Sequence, residues 1–239
     1  MTNNDILNDI FSKNGLGEYI CKADTFHRLY TALTETNKLY NLTAVTEPEK
    51  VYALHFADSL LALKYIDKNS KVLDIGCGAG FPSLPIAIAR PDVHIFAIDS
   101  TAKKIDFALT FARNNENGLD NFSARAGRAE ELARPPLRES FDLVTARAVA
   151  RLNILCELAL PFTKQGGSFL AMKGAAGKEE LIEAEKSVAK LGGMVAAVDE
   201  IKLECLNETQ KRTMIVIKKI AGTPDIYPRP YSKIVKKPL

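Results

Sequence analysis

A backbone that must approach a nucleotide-like ligand closely, or turn with positive φ, needs glycine at those points. Residues 74–82, Asp-Ile-Gly-Cys-Gly-Ala-Gly-Phe-Pro, place Gly76, Gly78 and Gly80 directly after an apolar run and before a helical one. The spacing is GxGxG. A dinucleotide site wants GxGxxG, whose third glycine packs helix on strand while the pyrophosphate rests on the helix N-terminus. Here Phe81 stands where that third glycine would be. The spacing therefore predicts S-adenosylmethionine, which carries a sulfonium cation and no phosphate. Such a ligand needs a close backbone, an acidic strand end and a slot for adenine. Asp99 ends the run HIFAID, where a carboxylate can accept both ribose hydroxyls. Asp74 precedes the loop and either ties it by hydrogen bonds or touches the ligand. Cys77 reads as a small filler: it falls on the cofactor side, whereas a nucleophilic thiol must reach the ring it adds to.

The acceptor is read from the segment after FDLVTAR (141–147). Enzymes that methylate exocyclic base amines often carry Asn/Asp-Pro-Pro-aromatic there, and this chain has Thr145-Ala-Arg147-Ala-Val-Ala-Arg151 instead. Two arginines at the cofactor edge suit an anionic or hydrogen-bond-accepting substrate, or they bridge acids at the sheet edge. No general base is offered. That fits an acceptor with a free lone pair, such as a ring nitrogen, for which positioning supplies effective molarities of roughly 10⁵–10⁸ M. At the far end, residues 218–239 hold Lys218, Lys219, Arg229, Lys233, Lys236 and Lys237 against Asp225 alone, with Tyr227 and Tyr231 between them. An extended basic and aromatic tail suits RNA; a merely solvated tail is the alternative.

The elements that must hold these residues follow from hydrophobic periodicity. KVLDIG, HIFAID, NFSAR, FDLVTAR and SFLAMKG read as strands separated by helices, which argues for a parallel sheet with right-handed crossovers. One of these helices is expected to start at Ser100-Thr101 and run to Gly118, another to stop before Pro91. VAAVDEIKL and RTMIVIKKI, joined by a polar turn around NETQK, read as an antiparallel hairpin. The expected fold is α/β, of the class I S-adenosylmethionine-dependent methyltransferase (Rossmann-like) type. It has a seven-stranded, mostly parallel sheet with a C-terminal antiparallel hairpin. Residues 1–68 form an N-terminal helical extension, interrupted near Asn41 and resuming at Pro48, residues 69–220 the methyltransferase domain, and residues 221–239 the basic tail.

The 239 residues carry a net charge of +3, 46% hydrophobic and 26% charged residues, an ordinary composition for a chain that buries a full core. The polar start MTNNDILNDI is no signal peptide, and no apolar stretch approaches the roughly 18 residues of a membrane span. Four dispersed cysteines and three histidines show no metal-ligand spacing. A cytoplasmic, metal-free protein is expected, and nothing calls for an obligate oligomer.

These residues resemble the RsmG (GidB) family, bacterial methyltransferases that modify N7 of a guanosine in small-subunit ribosomal RNA. The resemblance runs through YNLTAV (40–45), HFADSL (55–60), DIGCGAGFPSLPIAI (74–88), IDS (98–100), GRAEEL (127–132), TARAVARL (145–152), MKG (172–174), RTMIVIKK (212–219) and the final YPR…KKPL. It implies that Gly76 and Phe81 line the methionine side of the cofactor, that Asp99, Ser100 and Thr101 hold the ribose, and that Ala129 and Glu130 frame adenine. Arg147 would stand between cofactor and substrate as the catalytic residue, and Gly78 and Gly80 complete the cofactor loop. Arg128, Lys173, Arg212, Asn41, His55 and Asp58 are implied for the RNA side or for local structure. The implied partner is small-subunit ribosomal RNA or the 30S subunit, bound by a monomer. The family tail usually has glycine and proline after Tyr-Pro-Arg, where this chain has Pro230-Tyr231-Ser232-Lys233. Two alternatives stay open. A methyltransferase for a small molecule or protein would close its acceptor pocket with the N-terminal helices and have no use for the tail. A nicotinamide-dependent oxidoreductase is disfavoured by GxGxG and the hairpin.

Overall fold

A computed structural model describes residues 2–114, 116–206 and 208–239. Seven strands form one sheet: β1 (Lys71–Ile75), β2 (His94–Asp99), β3 (Phe122–Ala126), β4 (Phe141–Arg147), β5 (Thr163–Lys173), β6 (Gly193–Glu204) and β7 (Thr209–Lys219). Their order is β3-β2-β1-β4-β5-β7-β6. The first five run parallel, and β7 is antiparallel to both β5 and β6. The expected hairpin is thus present; Asn207, in its NETQK turn, lies outside the described residues.

Alternate residues of one strand enter opposite faces. Leu143, Leu170 and Met214 join the apolar core on one side, and Val144, Ala171 and Ile215 the core on the other. Both faces are covered by helices, so the central strands read as near-continuous apolar runs. The first face packs against the N-terminal helices. Helix Asn3–Lys13 is capped by Thr2: its Oγ1 accepts from Asp5 N at 3.2 Å, and Asp5 Oδ2 accepts from Thr2 N at 2.7 Å. It buries Ile6, Leu7, Ile10 and Phe11, and helix Ala23–Asn37 buries Phe26, Leu29 and Leu33. The chain resumes as helix at Pro48, is wound as π-helix over Val51–Ala57, and ends in 3₁₀ turns at Leu61–Tyr65. π-Winding often marks a functional site, and here it contains His55.

Two expectations change. The helix carried in sequence to Gly118 spans Ala102–Arg113. Asn114 leaves helical conformation, and its Oδ1 accepts from Glu116 N at 3.0 Å, the local competition that makes asparagine a poor helix residue. Asn115 lies outside the described residues. The C-terminal segment is not extended. It winds a helix over Tyr231–Lys236 and buries Tyr227 and Ile234, because its apolar residues have the second face of the sheet to cover.

The strand order reverses between β1 and β4, since β2 and β3 lie to one side and β5 to the other. At such a switch point the loops after the strands diverge and leave a crevice at the carboxyl edge. The glycine loop follows β1, Asp99 ends β2, Gly127–Glu130 follow β3 and Arg147 ends β4. The topology alone therefore brings the predicted residues to one edge.

Candidate functional site

The glycine loop is stapled to the end of β2: the N–H groups of Gly76 and Cys77 both donate to the Ile98 carbonyl, at 2.8 and 3.1 Å. Gly76, Gly78 and Gly80 have φ of 68°, 56° and 89°, the region glycine enters without steric cost. A Cβ on Gly76 would fall 2.5 Å from Val149 Cγ2, and one on Gly80 2.4 Å from Leu84 Cδ1. On Gly78 it would meet nothing within 4 Å. Gly78 is the bare floor of a cleft of about 380 Å³, within the range of small-molecule sites.

Eight of the ten predicted site residues line this cleft: Gly76, Gly78, Phe81, Asp99, Ser100, Ala129, Glu130 and Arg147. Gly80 and Thr101 do not, and they serve it from behind. Gly80 packs on Leu84, whose N–H donates to its carbonyl at 2.7 Å. Thr101 donates its N–H to Asp99 Oδ1 at 2.8 Å. Asp99 Oδ2 accepts from Gly78 N at 2.9 Å, so this carboxylate shapes the loop and also faces the cleft.

Asp74 resolves toward the tie. It is buried, accepts from Ser83 N at 3.2 Å and does not line the cleft. Burial raises its carboxyl to about 7, against the pull of Ser83 and Arg147. It occupies the first amide of helix Ser83–Ala89, the place where a pyrophosphate would sit in a dinucleotide site. The donor set thus fits a sulfonium compound: a glycine floor, the carboxylates of Asp99 and Glu130 on the wall, and a helix N-terminus already taken. Cys77 is buried, and burial pushes its thiol well up, as a filler requires.

At the β4 end, Arg147 Nη1 donates to the Leu54 carbonyl at 2.9 Å and to Asp58 Oδ2 at 3.1 Å. Asp58, nearly buried, accepts from Arg212 Nε through Oδ1 at 2.8 Å. His55 stacks on Phe81, with ring centroids 4.6 Å apart and planes at 14°, and its Nε2 lies 2.9 Å from Thr43 Oγ1. Burial, helped by the charge of Arg147, lowers the imidazole to about 4, so at neutral pH His55 is uncharged. A second cavity of about 410 Å³ holds Asp58, Lys173, Glu180 and Arg212, and shares His55, Arg147 and Ala148 with the cleft. Arg147 and His55 therefore stand in the wall between the two. Lys173 is spoken for, donating to the Ala150 carbonyl and pairing Glu180 Oε2, each at 2.7 Å.

Other residues fall elsewhere. Arg151 turns outward to an exposed pair with Glu183, which settles it as an edge salt bridge. Asn41 is exposed and lines neither cavity. Arg128 lines the cleft and pairs Glu130 at 2.6 Å. Sequence reasoning missed Thr43, Lys104, Val149 and Tyr231, which also line the cleft. Thr43 and Val149 lie inside quoted motifs, whereas nothing in the spacing marks Lys104 or turns Tyr231 toward the cleft. Among the described residues no group of three or more His, Cys, Asp and Glu is placed to hold a metal, and no helix is long and apolar enough to cross a membrane.

A family model described as GidB, rRNA small subunit methyltransferase G, matches residues 22–212. The ribosomal RNA small subunit methyltransferase G of Brevibacillus brevis is 41% identical over 234 residues, 97% of each chain. That of Limosilactobacillus fermentum is 46% identical over 220 residues, 90% of this chain and 89% of its own. Among solved structures, the 16S rRNA (adenine(1408)-N(1))-methyltransferase from Catenulisporales acidiphilia is similar with a TM-score of 0.55 at 15% identity, over 70% of this chain and 93% of that one. YcgJ from Bacillus subtilis gives 0.54 at 20% identity, over 70% and 100%. At these identities the two structures share the fold.

Proposed function

This chain belongs to the GidB family of rRNA small subunit methyltransferase G, and from that premise we propose that it transfers the methyl group of S-adenosylmethionine to N7 of a guanosine in small-subunit ribosomal RNA. The observation that carries this reading is the shared wall: a cleft fitted to a sulfonium compound meets, at Arg147 and His55, a second cavity lined with charged hydrogen-bonding groups.

When bound, S-adenosylmethionine supplies an electrophilic methyl group. The protein supplies position. The sheet edge runs β4, β1, β2, β3, so Arg147, the glycine loop, Asp99 and Glu130 meet the ligand in that sequence: methionine end, ribose, adenine. Guanine N7 attacks with its own lone pair and loses no proton, so no base is required, and none is needed from the neutral His55. Arg147 uses only Nη1 on protein acceptors among the described residues, leaving Nε and Nη2 for guanine O6 or a phosphate while N7 stays free. The base must be unstacked to enter, which costs least in a loop or single strand. In this reading the enzyme acts as a cytoplasmic monomer without metal. Residues 69–220 carry the chemistry, residues 1–68 form the side of the acceptor cavity around His55 and Asp58, and residues 221–239 fold back to bring Tyr231 to the cleft.

Two measurements test this. Labelled S-adenosylmethionine incubated with small ribosomal subunits lacking the modification is expected to mark ribosomal RNA, and chemical cleavage to map the label to N7-methylguanosine. Label confined to an exocyclic amine, or none in RNA, overturns the acceptor. Gly78→Ala puts a methyl group on the cleft floor at positive φ. It is expected to weaken S-adenosylmethionine by about tenfold in calorimetric titration, one decade being ~1.4 kcal/mol, while stability falls by only ~1–2 kcal/mol. Unchanged affinity would remove Gly78 from the cofactor site.

A further inference from the structure

One wall of the cleft comes from the far end of the chain. The segment is pinned on both sides of that wall. On one side Arg229 forks onto Glu157, with Nη2 2.6 Å from Oε2 and Nε 2.8 Å from Oε1, and its main-chain N–H reaches Oε1 at 2.8 Å. On the other, Ile234 is fully buried. Between these anchors Pro230 opens helix Tyr231–Lys236, and Tyr231 lines the cleft. The Arg128 guanidinium lies 4.7 Å from the centre of the Tyr231 ring. The same guanidinium is held by the buried Glu130 at 2.6 Å. Ring, cation and carboxylate form one stack beside Gly127 and Ala129, at the β3 end of the crevice.

We propose that Tyr231 is a wall of the cofactor's purine site, delivered by the C-terminal segment and held in place by Arg128. The proposal rests on the reading of the cleft as an S-adenosylmethionine site. The position along the sheet selects the purine: the methionine end lies at β1 and β4, the ribose at β2, and the β3 end is what remains for adenine. The chemistry agrees. An aromatic ring packed on a guanidinium offers a flat, polarisable surface, and stacking of a base on an aromatic side chain is sequence-tolerant and survives in water. Seated on a guanidinium that the buried Glu130 carboxylate holds at 2.6 Å, the ring has a fixed support before the ligand arrives, which lowers the ordering cost of binding.

The test titrates S-adenosylmethionine and S-adenosylhomocysteine into the wild type, Tyr231→Ala, Tyr231→Leu and Tyr231→Phe. The Ala and Leu variants are expected to bind both ligands about tenfold more weakly, and the Phe variant within twofold of wild type. In turnover, KM for S-adenosylmethionine should rise by the same factor in the Leu variant while kcat moves far less, a split that loosened packing would not produce. Leu keeps the apolar volume, so the comparison holds even where Ala disturbs the helix. Wild-type affinity in both Ala and Leu variants overturns the proposal and leaves the cofactor assignment standing. Failure of the wild type itself to bind either ligand overturns the assignment and the proposal with it.

Discussion

Arg147→Ala is expected to lower methyl transfer on the order of 100-fold, the loss that follows when a reacting pair is misplaced by about an ångström. The argument rests on what the guanidinium touches. It ties the end of β4 to the Leu54 carbonyl in the π-wound segment and to Asp58, and it lies 5.9 Å from the centre of the Phe81 ring on the cofactor side. Truncation therefore frees the strand end and the helix that carries His55, and removes a donor group facing the proposed acceptor cavity. The fold should survive. Asp58 keeps Arg212 at 2.8 Å, so no buried carboxylate is stranded, and the loss is that of one charged hydrogen-bonding group, about 1.5–3 kcal/mol. Arg147→Lys retains the charge but not the planar fork and should recover little. A second readout separates a site role from a packing role. Burial is the first cause of the lowered His55 imidazole and the Arg147 charge the second. The variant should therefore let His55 titrate above its wild-type value of about 4, visible by NMR. Turnover within about threefold of wild type, far from the expected decades, would return Arg147 to the structural residues.

Arg147 and Arg151 also show where sequence reasoning stops. Arg147 ends β4 and Arg151 lies four residues on; both are arginine, and the spacing gives each an equal claim to the site. The backbone decides between them: Ala148 takes φ of 57°, the chain turns at the crevice, and Arg151 is carried out to Glu183. The cofactor side was far more legible. Glycine positions, the strand-end Asp99 and the alternation of strand and helix are local signals, and local signals fix a switch-point crevice once strand order is known. Asp74 needed the structure because tying a loop and touching a ligand demand the same carboxylate in the same place. Its bond to Ser83 N and its burial make the choice. The neighbouring cavity proposed for the acceptor was less legible still, since it is lined by Asp58, Lys173 and Arg212, residues that only the sheet and the N-terminal helices bring together.

The C-terminal segment is the clearest case. Its composition reads as an extended tail, RNA-binding or else merely solvated, because charge is visible in a sequence and the partner of a charge is not. The partner of Arg229 is Glu157, 72 positions away and wholly buried. Breaking a buried pair from one side strands the other charge and costs about 3–5 kcal/mol. Arg229→Ala keeps the main-chain N–H that donates to Glu157 Oε1, so the lower figure applies: about 3 kcal/mol, or a fall in Tm of roughly 6–12 °C for a domain of this size. That is a sizeable share of a total stability of about 5–15 kcal/mol. Replacing both partners, Glu157→Leu with Arg229→Leu, should cost less than the single change, because an apolar pair demands no desolvated charge. The two variants separate the ion pair from the mere presence of the segment. If the pair exists to hold Tyr231 at the cleft, Arg229→Ala weakens S-adenosylmethionine in step with the undocking of the segment, and the double variant recovers affinity as it recovers stability. A melting point for Arg229→Ala indistinguishable from wild type would show that the segment is held by buried Tyr227 and Ile234 and by the hydrogen bonds that Arg138 and Ser187 donate to its carbonyls, and that the charge on Arg229 is spent on solvent.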